Sequence, residues 1–192
     1  VALMHYAVVF EDGGWNRNAF ATGNELSHFY LVRALVEERS FSTGDVSESA
    51  PGDFAVYGGQ LYSNKPPGFA FLAVPGYTVY FHFLHPSLAD RPVPNLFPII
   101  STILGGMCVA LIYLLARDLG ALQEGAMFSA VIAGLGTILI VYSTSFMSHV
   151  ASAVFLLLAM WAAFRYRVTG SGPALVLASF CMGYSILINY SA

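Results

Sequence analysis

"QLYSNKPPGFAFLAVPGYTVYFHFL", residues 60–84, decides how the rest of the chain is read. It sets the chain's one lysine, Lys65, before Pro66, Pro67 and Gly68, and then runs on through apolar and aromatic residues. If that run crosses a membrane, every later loop changes side. Residues 69–84 fall short of the roughly 20 apolar residues that an α-helix needs to cross a hydrocarbon core about 30 Å thick. They also carry Pro75-Gly76 in the middle and His82 near the end. That length suits a helix lying in the interface better than a span. Charge gives an independent test. With 69–84 not crossing, Arg117, Arg165 and Arg167 are cytoplasmic and Arg91 is outside; a crossing reverses the preference. We therefore expect a surface helix over about 68–84, entered through prolines that suit a first helical turn.

The composition agrees with a membrane protein. Of 192 residues, 57% are hydrophobic and 10% charged, against about a quarter charged in soluble domains. The mean hydropathy is +0.66. Eight Lys plus Arg against eleven Asp plus Glu leave no basic surface for nucleic acid. Cys108 and Cys181 both lie inside apolar runs, as small buried hydrophobes do, and give no support to a disulfide or metal site.

Four later runs, about 96–116, 125–145, 147–165 and 173–191, have the length of spans. The opening "VALMHYAVVF" lacks the basic start and small-residue cleavage site of a signal peptide, so residues 1–10 read as the outer end of a first span. The last residues stop within an apolar segment, and the chain reads as the N-terminal portion of a longer protein. Between the first span and the others lies residues 11–95, an extracytoplasmic loop whose polar part, 11–66, holds eight of the eleven acidic residues. The expected architecture is an all-α integral membrane bundle with a large first loop carrying juxtamembrane helices.

Within the loop, Thr22 and Glu25 have the spacing of a capping box, which predicts a helix over about 23–38 with an apolar face and with Glu25 and Arg33 near its polar boundary. "STGDVSESAPGD" is turn-rich, and "FAVYGGQLY" predicts a short hairpin around Gly58 and Gly59.

These features together resemble the GT-C membrane glycosyltransferases, specifically glycosyltransferase family 39 and aminoarabinose-transferase-like members. In that family the first outer loop opens with an acidic motif, continues as a juxtamembrane helix with an arginine, and closes on a Lys-Pro or His-Pro-Pro element. Here "NELSHFYLVRALVEE" supplies Asn24, Glu25 and Arg33, and "LYSNKPPG" supplies Lys65, Pro66, Pro67 and Gly68. The turn "STSFMSH", which ends on His149, resembles the family's outer turn between the third and fourth spans. The resemblance implies transfer of a sugar from a polyprenyl-phosphate donor to a protein, lipid or glycan acceptor, at a site facing outward from the cytoplasmic membrane. Its partners would be membrane lipid, donor and acceptor.

One position departs from the pattern. The family usually has Asp-Glu where this chain has Asn24-Glu25, and the first acid is taken as the catalytic base; asparagine cannot accept a proton at neutral pH. Glu25 takes that role, or Asp53 does, or the chain has lost activity. Lys65 and Arg33 suit the donor phosphate, Lys65 as a point charge and Arg33 in a bidentate way. Asn24 and His149 are candidate substrate-binding or accessory residues, and His28 is a weaker one. Glu25, Asp53 and His149 have the donor types for a divalent cation, without a spacing that demands one. Each residue also has a plainer use: Glu25 in its capping box, Arg33 snorkelling, Lys65 as an interface anchor, Asp53 in a turn and His149 facing the aqueous boundary. A non-enzymatic polytopic protein, such as a transporter subunit or an inactive lipid-phosphate-binding relative, is the alternative; transporters usually gather polar groups at the midplane of broken spans, whereas here they gather in the loop.

Overall fold

The computed structural model describes residues 22–45, 53–84 and 96–190, of which 74% are helical. Residues 1–10, Trp15 and Arg91 lie outside the described residues. The elements are α1 (Gly23–Arg33), β1 (Ser42–Asp45), β2 (Phe54–Tyr57), β3 (Gln60–Ser63), α2 (Gly68–Val79), α3 (Leu96–Asp118), α4 (Gln123–Leu135), α5 (Leu139–Tyr142), α6 (Ser148–Thr169) and α7 (Gly172–Ile188). Two compact units divide between Ile99 and Ile100, in the first turns of α3.

In the first unit, α1 starts where the sequence says it should. Thr22 is the extended N-cap; its Oγ1 accepts from the Glu25 N–H at 3.3 Å, and Glu25 Oε2 accepts from the Thr22 N–H at 3.2 Å. Two of the helix's four orphan donors are thereby met. The helix runs on through a π turn, Ala34–Glu38, and stops at Arg39, whose φ of 54° is left-handed. Helix and π turn together cover the residues, 23–38, that the spacing predicts. Burial differs from the expectation: Glu25, Ser27, His28, Phe29, Leu31, Val32 and Ala34 are all buried, so α1 is packed on several sides rather than along one apolar face. The cause is tertiary, because α2 and the sheet both pack on it.

The sheet has the order β1-β3-β2, antiparallel throughout. Tyr57 pairs with Gln60 across a two-residue loop, and Gly58 and Gly59 have φ of 60° and 81°. Positive φ at both loop positions is what a tight hairpin matching strand twist requires. β1 is a correction to the sequence reading, which treats "STGD" as turn: Ser42 and Asp45 pair with Tyr62 and Gln60, with an irregularity before Gly44. Four short polar residues carry no alternating pattern, and only the hairpin's free edge makes them a strand.

α2 keeps helical geometry through Pro75 and continues as a π turn, Tyr80–Leu84. Phe69, Ala70, Ala73 and Tyr77 are buried against α1 and Phe97. Phe97 stands edge-on to Phe29, centroids 5.3 Å apart, and tilts against Tyr77 at 5.8 Å. Such aromatic pairs add about 0.5–1.5 kcal/mol beyond their buried area.

In the second unit, Cys108 and Leu111 of α3 pack on Val150 and Val154 of α6, with Leu139 and Tyr142 of α5 alongside, and α6 pairs along α7. Two helical stretches, Phe97–Asp118 and Ser148–Thr169, are long and apolar enough to cross a membrane, by length and composition. The run 125–145 does not form one span. α4 ends at Leu135 and α5 begins at Leu139, because Gly134 and Gly136 each lower helix propensity by about 1 kcal/mol and Thr137 competes for the backbone. Its Oγ1 donates to the Ala133 carbonyl at 2.6 Å and accepts from the Leu139 N–H at 3.2 Å. The last run likewise ends early, at Ile188, where Asn189 turns extended.

Candidate functional site

The first turn of α1 draws the loop's charged residues together. Asp53, just before β2, and Lys65, just after β3, sit side by side because the hairpin closes between them; the Asn64 N–H donates to the Asp53 carbonyl at 3.4 Å. Lys65 Nζ lies 2.9 Å from Asp53 Oδ1, with the two side chains 24% and 29% exposed. Asp53 Oδ2 lies 3.2 Å from where a Cβ on Gly23 would stand, so the carboxylate touches the first residue of α1. Gly23 leaves room for it, and the positive end of the helix favours it.

The lysine's backbone is fixed as well. Its N–H donates to Ser63 Oγ at 3.2 Å, Ser63 Oγ shares a hydrogen bond of 2.7 Å with Ser27 Oγ of α1, and Pro66 and Pro67 follow. The serine bridge spans 36 residues, and nothing in the local sequence announces it.

Asn24 and Glu25 lie in the same turn. Asn24 Oδ1 is buried and has no hydrogen-bond partner among the described residues. Glu25 is 4% exposed, and its Oε2 serves the Thr22 backbone. The capping use of Glu25 is thus observed, and it leaves Asp53 the more open of the two carboxylates.

Arg33 has a different neighbourhood. Eight residues beyond Glu25, it lies about 12 Å farther along the axis. It pairs with Glu37 at 3.2 Å, and Glu37 also accepts from the Tyr77 hydroxyl at 2.5 Å. The Arg33–Glu37 pair is legible as an i, i+4 spacing; the tyrosine, 40 residues away, is not. His28 is fully buried with its ring edge-on to Phe69, centroids 5.2 Å apart. That is a core position.

In the second unit, His149 is exposed in the first turn of α6. Its ring lies 4.9 Å from that of Tyr142, and its Nδ1 is 3.5 Å from Asn189 Nδ2. Among the described residues no group of three or more His, Cys, Asp or Glu comes together to hold a metal ion.

Chemically, the α1 end offers a carboxylate, an ammonium and an amide oxygen without a partner within one turn. A proton acceptor beside a cation suits a reaction that takes a proton from a hydroxyl while releasing an anion. No protein-family model, no curated protein and no solved structure matches this chain.

Proposed function

We propose that this chain acts as a membrane glycosyltransferase of the GT-C type. It moves a sugar from a polyprenyl-phosphate donor to an acceptor on the outer face of the cytoplasmic membrane. The observation that carries the reading is the Asp53–Lys65 pair at 2.9 Å, set against the first turn of α1 with Asn24 and Glu25. The membrane setting draws support from burial. Only 28% and 39% of the most apolar windows of Phe97–Asp118 and Ser148–Thr169 are buried, whereas the core helix of a soluble protein hides most of its surface. Ile103, Phe128, Met160 and Val176, on four helices, all face outward.

In this reading Asp53 is the base, and Glu25 chiefly holds the helix start. The donor phosphate draws the Lys65 ammonium away from Asp53. The acceptor hydroxyl attacks the anomeric carbon, the bond from that carbon to the phosphate oxygen breaks, and the hydroxyl proton passes to Asp53. The sugar leaves on the acceptor, and the lipid phosphate stays paired with Lys65. Arg33, held by Glu37, supports the helix rather than the phosphate.

The test incubates the full-length protein, in lipid, with radiolabelled polyprenyl-phosphate sugars and follows release of the lipid phosphate. Asp53→Asn is expected to slow release by about 10²–10⁴-fold, the usual contribution of a positioned base, and Glu25→Gln by far less. Equal turnover by wild type and Asp53→Asn removes Asp53 as base. Donor binding without turnover by the wild type favours the inactive lipid-phosphate-binding relative, which the asparagine at position 24 already suggests.

A further inference from the structure

A second polar site lies in the second unit, where α6 ends and α7 begins. A cleft of about 330 Å³ opens there, lined by Trp161, Arg165, Thr169, Ser171, Ala174 and Leu177 among others. Gly170, with φ of 68°, turns the chain between the helices. Thr169 Oγ1 fixes that turn by donating to the Arg165 carbonyl at 2.7 Å and accepting from the Ser171 N–H at 3.3 Å.

The cleft's cation is set in place from the side. Asp118, at the end of α3, accepts from Trp161 Nε1 at 3.0 Å and lies 3.7 Å from Arg165 Nη1. The guanidinium carbon stands 5.9 Å from the centre of the Trp161 ring, within reach of a cation–π attraction. The Arg165 side chain remains 47% exposed. One long ion pair uses few of a guanidinium's five donors, so Arg165 can take a second anion. Ser171 caps α7 without a side-chain hydrogen bond.

The cleft is lined in two ways. Arg165, Thr169 and Ser171 supply its polar lining, and Trp161, Ala174 and Leu177 its apolar lining. A free phosphate would use only the polar lining; an amphiphile uses both. Elsewhere on α7, Val176 is 69% and Phe180 59% exposed. Near these helix ends the charges are Arg117, Arg165 and Arg167 against Asp118 and Glu124, a positive balance.

We infer that this cleft binds an anionic phospholipid, its phosphate on Arg165 and an acyl chain along Trp161, Ala174 and Leu177. The inference rests on the membrane setting proposed above but not on the transfer chemistry. Basic pockets between membrane helices are general sites for such headgroups.

Trp161 is a built-in reporter. With Trp15→Phe, it is the one tryptophan left. The full chain is reconstituted into phosphatidylcholine vesicles containing, at equal mole fraction, either brominated phosphatidylglycerol or brominated phosphatidylcholine, and quenching of Trp161 emission is measured. The anionic lipid is expected to be enriched about fivefold at Trp161, as one arginine's attraction allows. Arg165→Gln should abolish the difference between the lipids while leaving quenching by phosphatidylcholine unchanged, which also shows that the variant is folded and inserted. Arg167→Gln, outside the cleft lining, should keep the difference. Equal quenching by the two lipids in the parent chain overturns the site. So does a selectivity that inorganic phosphate erases and chloride at equal ionic strength does not, since the occupant is then free phosphate. Absence of quenching by either lipid overturns the membrane setting itself, a result distinct from equal quenching.

Discussion

Tyr77 and Glu37 meet across 40 residues, and their hydrogen bond joins α2 to the π turn that extends α1. Tyr77 is 1% exposed and Glu37 carries the Arg33 pair as well. Hydrogen bonds to charged groups contribute roughly 1.5–3 kcal/mol. Tyr77→Phe is therefore expected to lower unfolding free energy by about that amount, read as an earlier midpoint in denaturant with the slope unchanged. A variant as stable as the parent would mean that Arg33 alone satisfies Glu37. The same scale sets the fate of Glu25. Its spacing from Thr22 is enough to predict the capping box, but that the carboxylate is buried in the cap, while Asp53 remains partly open beside Lys65, follows from packing.

Helix packing in the second unit depends on glycines at close approach. A Cβ on Gly105 of α3 would lie 2.1 Å from Ser143 Oγ and 2.7 Å from Ser143 Cβ. The hydroxyl can rotate away; the Cβ cannot. Gly105→Ala is expected to cost about 1–3 kcal/mol, the usual penalty of overpacking, and Ser143→Gly in the same chain should return most of it. A double variant no more stable than Gly105→Ala would place the clash elsewhere. Elements differ in how far they can be read from sequence. α1 has a cap and a period, and the hairpin has Gly58-Gly59, so both are legible. β1 exists only because β3 offers an edge, and the break between α4 and α5 depends on a Thr137 hydroxyl competing with the helix for Ala133.

For the molecule as a whole, the charge rule makes a testable statement about sidedness. With Cys108 and Cys181 replaced by Ala, a cysteine at Val168, 64% exposed near Arg165 and Arg167, should react with a membrane-impermeant maleimide only from the cytoplasmic side. A cysteine at exposed Asn64, beside Lys65, should react only from outside. Reaction of both cysteines from the same side would mean that residues 69–84 cross, and the opposite pattern would invert the whole topology and move the Asp53–Lys65 pair to the cytoplasmic side. The sequence by itself determined the helical class, the cap at Thr22, the tight hairpin and the apolar runs, because each depends on residues a few positions apart. Only the tertiary structure decided that Asp53 pairs with Lys65, that Tyr77 reaches Glu37, and that Asp118 holds Trp161 and Arg165 at a cleft. Those partners lie up to 47 residues apart, and no local periodicity encodes a contact that exists only once separate helices and strands pack together.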